Sequence, residues 1–598
     1  MEQITVAQYL ANTLSSNGQR IAFVLSGGAA LHLIHAINDH PEMSCVPLNH
    51  ESSAAAAADG FSRVAKTPAI CIATSGPGAT NLITGIAGAF YDSVPVIFLT
   101  GQVSRSRALA TRGLRQYGFQ QTPFVEIVRP ISKAAFEIID PRQVKRVLGE
   151  ALWVLSENRK GPVVIDIPDD VQREVINPSE LEEFTPPLQE ARLERRQFSR
   201  RKVANMLARS ERPVIVVGGG LEENRASQLS KISKELGAPV VRTWAASGML
   251  DGDDPQNFGF FGTHGSRVAN LVVQSADLIL SIGCRLDTKA TGSPPTSFAR
   301  SAKKIVVEID AAELQKFAEL KLKVEVPILM DAGSFLDELA TLSVVADRKE
   351  SWNNHCQSLR SEVPPEDFSD FETFGPSPIY LMSSLNSLLP EETLLVLDTG
   401  LSLPFAMEYL GSNSRRKIYH DFNNTAMGWS LGASIGASYA RPTADVLTIL
   451  GDGSLALSLG DLSSVSGNNL KAKIVLIDNQ GHGMIRQTQN QWFSRSYVAS
   501  SLKGGIFYPD WKKITEAANF KYFELESNNL STLKEFLSAK SPALLHVKLN
   551  ADWEFRPQVL FGFPNEDQDP PLPRNLLSKL MKIPLTDKSQ VPSRGTKY

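Results

Sequence analysis

Short, continuous runs of Val, Ile and Leu recur along this sequence, and most of them end on Gly or Asp. In chain order they read IAFVLSGG, PAICIATSGPG, VPVIFLTGQ, GPVVIDIP, RPVIVVGGG, ADLILSIGCR, KKIVVEID, LLVLDTG, DVLTILGDGS, AKIVLIDNQ and ALLHVKL. A strand with one wet face alternates apolar and polar residues; these runs do not alternate, so each should be buried on both faces. Helical stretches separate them. The pattern therefore predicts α/β architecture, with doubly wound parallel sheets covered by helices on either side.

The chain has 598 residues, too many for one core. Two polar stretches, NPSELEEFTPPLQEARLERRQ after Pro168 and another around SEVPPEDFSDFETFGPSP, read as linkers. They divide the sequence into three doubly wound parallel-sheet domains, expected at 1–170, 195–345 and 372–550, with a Pro-rich C-terminal tail at 551–598. The first and third domains share one rhythm of runs and helices, as two related halves around a spacer would.

Composition narrows the class of function. Apolar residues make up 42% and charged residues 21%, ordinary values for a globular chain. The net charge of −3 leaves no basic footprint for nucleic acid. The opening MEQITVAQYLANTL is an amphipathic helix start, and no apolar run approaches a membrane span. Cys45, Cys71, Cys284 and Cys356 lie far apart without metal spacing, as in a reducing compartment. The expectation is a soluble cytoplasmic protein with neither nucleic acid nor membrane as partner.

Chemistry concentrates between Gly451 and Gln480, in GDGSLALSLGDLSSVSGNNLKAKIVLIDNQ. Gly-Asp-Gly by itself is most often a turn. Placed after a strand, however, Asp452 would stand at the carboxyl edge of a parallel sheet, where ligands collect. Asn479 would end the next strand. A carboxylate, an amide oxygen and the Gly481 carbonyl would leave octahedral positions for two phosphate oxygens and a water, which suits Mg²⁺. Gly453 and Ser454, opening the intervening helix, would add N–H donors for the phosphate.

Gly-Asp-Gly, an interval of 25 residues and then Asn resembles the binding signature of thiamine diphosphate enzymes, with Asp478 where the usual pair has its first Asn. LNHESSAAAAADGFSRV and ATSGPGATNLITGIAGAFYDSVPVIFLTGQV are similar to the pyrimidine-binding domain of acetolactate synthases. The resemblance covers nearly all of the first 550 residues and implies thiamine diphosphate with Mg²⁺. It makes Glu51 the carboxylate on the pyrimidine ring, where it favours the imino tautomer whose exocyclic nitrogen can remove the C2 proton. An isolated Glu there would simply cap its helix. The resemblance further places Pro77, Asn81, Met427 and Gly451 at the cofactor, with Met427 bending it into a V. It sets Gly28 to donate an N–H to the reacting oxygen, and lines the substrate channel with Phe119, Gln120 and Met484. In the central domain Gly218, Gly219, Gly220, His264, Arg285 and Asp310 fall where relatives contact FAD, although Thr288-Lys289 departs from their Asp-Arg and several relatives have lost the flavin.

Other departures concern the acceptor. The family's Gly-Gln-His becomes Ser402-Leu403-Pro404, an apolar edge, and the tryptophan of its acceptor pocket becomes Thr488. Arg486 is then either solvated or a cation for an acidic acceptor. The tail resembles acetolactate synthase-like proteins of sugar or secondary metabolism. What the resemblance implies is a carboligase that decarboxylates pyruvate or a related 2-keto acid and transfers the two-carbon unit to a second carbonyl. Weak selection for 2-ketobutyrate and room for a bulkier acceptor are expected. The alternatives are the same cofactor chemistry with a keto-sugar acceptor, simple decarboxylation or C–C hydrolysis, and a silent binding subunit, which intact Glu51, Asp452 and Asn479 disfavour. The family also implies a homodimer or homotetramer whose sites draw their two halves from different chains.

Overall fold

The computed structural model describes residues 3–108, 114–187, 199–342, 349–371, 375–412 and 416–587. The apolar runs form three six-stranded sheets, parallel throughout. Numbering the strands of each sheet by their order in the chain, the first sheet (strands from Ile21–Val24 to Val163–Pro168) runs 2-1-3-4-6-5. The third (Leu394–Leu397 to Ala543–Lys548) has the same order. The central sheet (Pro213–Val217 to Val326–Leu329) runs 3-2-1-4-5-6, the order of dinucleotide-binding folds. The strand runs are buried along nearly their whole length, as their lack of alternation requires.

Small residues explain how the outer domains meet. Helix Glu51–Ala65, with its five consecutive alanines, lies against helix Trp429–Ala440 of the third domain. A Cβ on Gly436 would collide with the Ala57 carbonyl, and one on Gly60 with the Ala433 backbone. Added methyl groups would overpack the seam, at about 1–3 kcal/mol. Ala54, Ala57, Trp429, Ala433 and Leu462 accordingly belong to one apolar core shared by both domains. Beside it, Ser53 Oγ donates to the buried Asp461 at 2.7 Å.

The tail does not hang free. From Asp552 it runs back to the central domain, where Leu577, Leu580 and Met581 join the core beneath helix Arg267–Ser275. Arg300 pairs with Glu566 at 2.6 Å, and Arg267 donates to the Pro570 carbonyl at 2.6 Å. Among the described residues no helix is long and apolar enough to cross a membrane.

Candidate functional site

Two strands set the first half of the site. Val446–Gly451 and Ala472–Asp478 are neighbours, with Gly451 opposite Ile477, so Asp452 and Asn479 leave the same sheet edge side by side. Asp452 is 2% exposed. Its Oδ1 accepts from the Gly453 N–H at 2.7 Å and its Oδ2 from the Gly481 N–H at 3.0 Å. Gly481 has φ +144°, and a Cβ there would strike the Ser500 carbonyl, so the turn that presents its carbonyl needs glycine. Burial, reinforced by the charge of Asp478, pushes the Asp452 carboxyl up to about 7. Asp478 goes the other way. Burial opposes its ionisation, but His546, 2.9 Å from Oδ2, and the Gln480 N–H, 3.0 Å from Oδ1, hold it below the usual range.

No side-chain cation among the described residues lies within ion-pair distance of Asp452. A buried carboxylate that accepts from two backbone N–H groups, beside an amide and a carbonyl, fits a small hard cation. The donors would be one carboxylate, one amide and one carbonyl; among the described residues no cluster of three or more His, Cys, Asp or Glu could hold a metal.

Arg486 is neither solvated nor turned toward a substrate. It is buried, and its guanidinium donates to the carbonyls of Asn479 (2.9 Å), Gln480 (3.3 Å) and Ala551 (2.9 Å). Both sequence readings of Arg486 give way to a clamp on the loop that follows Asp478. Leu403 and Pro404 are likewise buried in the third-domain core and form no apolar edge.

Above the Gly451–Ser454 turn stands Met427, 39% exposed, its terminal methyl 2.9 Å from where a Cβ on Gly453 would lie; His482 Nε2 is 3.0 Å from the same point. The Gly453 N–H is engaged by Asp452, and the Ser454 hydroxyl donates to Asp398 at 2.6 Å. Thr488 lies on helix Gly483–Trp492, its hydroxyl bonded back to the Met484 carbonyl at 3.1 Å. It shares an exposed face with Ile485 and Trp492, while Met484 packs on the core.

The second half gathers in the first domain. Glu51, 8% exposed, opens its helix, and Asn81 Nδ2 donates to its Oε2 at 3.0 Å. Pro77 opens the short helix Pro77–Thr80. A Cβ on the next residue, Gly78, would lie 3.2 Å from Glu51 Oε1 and 2.8 Å from the Thr74 methyl. The Thr74 hydroxyl accepts from the Ala29 N–H at 3.1 Å, which brings the Gly28–Ala30 turn alongside. Gln120, with φ +64°, presses on Gly76 just before Pro77, while Phe119 is 84% exposed. Glu51, Pro77, Asn81, Gln120 and the Gly28 turn therefore form one group. Among the described residues, no hydrogen bond or ion pair joins that group to Asp452, Asn479 or Gly481.

A cavity of about 400 Å³ opens between all three domains. Gly218, Gly219, Gly220, His264 and Arg285 line it, as does Glu308. Asp310 does not: its carboxylate accepts from Arg159 at 2.9 Å and caps the following helix at the Ala312 N–H. Burial lowers His264 to about 4, so its ring is neutral near pH 7.

Three segments match family models: residues 4–127 the thiamine pyrophosphate enzyme N-terminal TPP binding domain, 200–339 the central domain, and 398–547 the C-terminal TPP binding domain. The chain belongs to the thiamine pyrophosphate enzymes. Its relatives among them include acetolactate synthase 1, chloroplastic, of Zea mays, 31% identical over 90% of this chain and 85% of that protein. The probable acetolactate synthase large subunit of Methanocaldococcus jannaschii is 31% identical over 91% and 92%, and acetolactate synthase isozyme 1 large subunit of Escherichia coli 30% over 95% and 98%. In this thiamine pyrophosphate enzyme the N-terminal segment contains Glu51 and the C-terminal segment Asp452, so the two groups fall on the two TPP binding domains. Sequence reasoning named neither Asp398 nor His546; it placed Glu308, Ile309 and Asp310 together in the central domain, and of these Glu308 and Ile309 line the cavity.

Proposed function

We propose that this protein is a thiamine diphosphate- and Mg²⁺-dependent carboligase of the acetolactate synthase type. The observation that carries the reading is Asp452, a buried carboxylate that accepts from two backbone N–H groups at a parallel-sheet edge, on the domain opposite Glu51. When bound, thiamine diphosphate supplies a nucleophilic carbon and an electron sink for losing CO₂ from a 2-keto acid. Asp452, Asn479 and the Gly481 carbonyl would hold Mg²⁺, and Arg486 fixes the carbonyls of that loop. Glu51 holds a proton at the pyrimidine nitrogen, and Asn81 orients its carboxylate. Met427 supports the cofactor from one side. The Gly28 N–H and Gln120 face the reacting carbonyl, orienting it and stabilising charge on its oxygen.

Two further parts belong to the same proposal. FAD occupies the three-domain cavity; the Trp244 and His264 rings and the buried Glu308 carboxylate, suited to ribose hydroxyls, support it. The active form is a homodimer or homotetramer in the cytoplasm. The placement of Glu51 and Asp452 on different TPP binding domains supports assembly, as do the exposed Phe119, Trp492 and Phe507; the four cysteines, all free, support the compartment. A different acceptor, such as a keto-sugar, is favoured by one feature: the small Thr488 stands on the exposed face of helix Gly483–Trp492.

One experiment tests the function. The protein is stripped of small molecules, which are identified, and then reloaded. FAD should be among those released. Reloading with thiamine diphosphate and Mg²⁺ should restore CO₂ release from pyruvate and formation of the two-carbon adduct, with little preference for added 2-ketobutyrate. No cofactor-dependent CO₂ release from any 2-keto acid in a panel would reject the enzyme in favour of a binding subunit.

A further inference from the structure

Asp398 directly follows strand Leu394–Leu397 and is fully buried, yet it meets no cation among the described residues. Instead it gathers donors from three places. Oδ1 accepts from its neighbour, the Thr399 N–H (3.0 Å), from the Gly428 N–H (3.1 Å) and from the Ser454 hydroxyl (2.6 Å). Oδ2 accepts from the Ser430 N–H at 2.9 Å. Gly428 and Ser430 flank the first residue of helix Trp429–Ala440, so the carboxylate serves as an N-cap supplied from elsewhere in the chain, where a negative charge is favoured. Gly428 directly follows Met427, and Ser454 lies two residues after Asp452. A Cβ on Gly428 would sit 3.1 Å from Leu457 Cβ and 3.5 Å from the Ser454 carbonyl, so the two turns already touch.

We propose that Asp398 is a positioning residue that fastens the Met427 turn to the Gly451–Ser454 turn, fixing the methionine over the metal and diphosphate edge before any cofactor arrives. Its relevance to thiamine diphosphate rests on the proposed function; the tie itself does not. The physical case is economy of connection. Four donors from three segments converge on one carboxylate, and hydrogen bonds to a buried charge are stronger than neutral ones. An asparagine at 398 would keep one acceptor oxygen but point an NH₂ at N–H donors, so it cannot satisfy both sides.

The test uses Asp398→Asn and Ser454→Ala in the full chain. In the cofactor-free protein, amide exchange at Gly428 and Ser430 should quicken about tenfold or more in Asp398→Asn, the loss of a charged hydrogen bond, with the strands of the third sheet unchanged. With thiamine diphosphate and Mg²⁺ added, the binding stoichiometry should stay as in the wild type while the dissociation constant rises about tenfold. Turnover per counted binding site at saturating cofactor should fall and the pyruvate KM should stay put; counting sites separates this from a smaller folded fraction, which also lowers apparent turnover at constant KM. Ser454→Ala cuts only the link between the turns, so it should weaken cofactor affinity without quickening exchange at Ser430. Unchanged exchange and affinity in Asp398→Asn would overturn the proposal. If that variant does not fold, unchanged affinity in Ser454→Ala overturns it. If the wild type binds no thiamine diphosphate, the function fails while exchange still decides the tie.

Discussion

Asp452→Ala should abolish Mg²⁺-dependent binding of thiamine diphosphate, weakening it about a hundredfold or more, since it removes the one charged donor from the proposed metal set. The loss has two parts. The cation loses its carboxylate, and the Gly453 and Gly481 N–H groups lose the acceptor that shapes the turn around it. Asp478 is held by His546 at 2.9 Å and by the Gln480 N–H at 3.0 Å, so moving it into the place of Asp452 would break those bonds. Calorimetric titration of the cofactor at fixed Mg²⁺ measures the effect, and unchanged affinity would sink the assignment. The same site predicts a pH dependence. Burial holds the Asp452 carboxyl up at about 7 in the metal-free chain, so below that value protons compete with the cation. Affinity for Mg²⁺ should therefore fall as the pH drops through 7.

Glu51→Gln should lower turnover by about 10²–10⁴-fold, the range a positioned proton-transfer group supplies, while leaving cofactor affinity nearly unchanged. The amide matches the carboxylate in size and can still accept from Asn81, so helix Glu51–Ala65 and its seam with helix Trp429–Ala440 should persist. What disappears is the charge that holds a proton on the pyrimidine. Steady-state CO₂ release and a binding titration on one preparation separate the two quantities. A variant that keeps most of its turnover would show that Glu51 merely caps its helix.

The fold was legible because buried parallel strands leave a direct mark: RPVIVVGGG or AKIVLIDNQ cannot be half-wet. The position of Asp452 and Asn479 at neighbouring strand ends was legible for a related reason, since each follows an unbroken apolar run. What stayed hidden depends on partners distant in sequence. Asp398 reads as a turn residue in LDTG, and its donors at Gly428, Ser430 and Ser454 are backbone or hydroxyl groups with no pattern of their own. Arg486 looks like any helical surface arginine until burial aims it at carbonyls. Asp310 stands off the cavity that Glu308 lines because residues two apart share a face only while the strand lasts. The strand ends at Glu308, and Asp310 has already turned to cap the next helix.

In the proposed oligomer one reaction site would draw Glu51 from the N-terminal domain of one copy of the chain and Asp452 from the C-terminal domain of another. Mixing separately inactive Glu51→Gln and Asp452→Ala chains tests it most directly. If sites form between subunits, each mixed dimer contains one site with both carboxylates intact, so such dimers should recover about half of the wild-type turnover. If each chain builds its own site, every site in the mixture lacks one carboxylate. Mixed oligomers confirmed by differential tags yet inactive at all ratios would contradict the account.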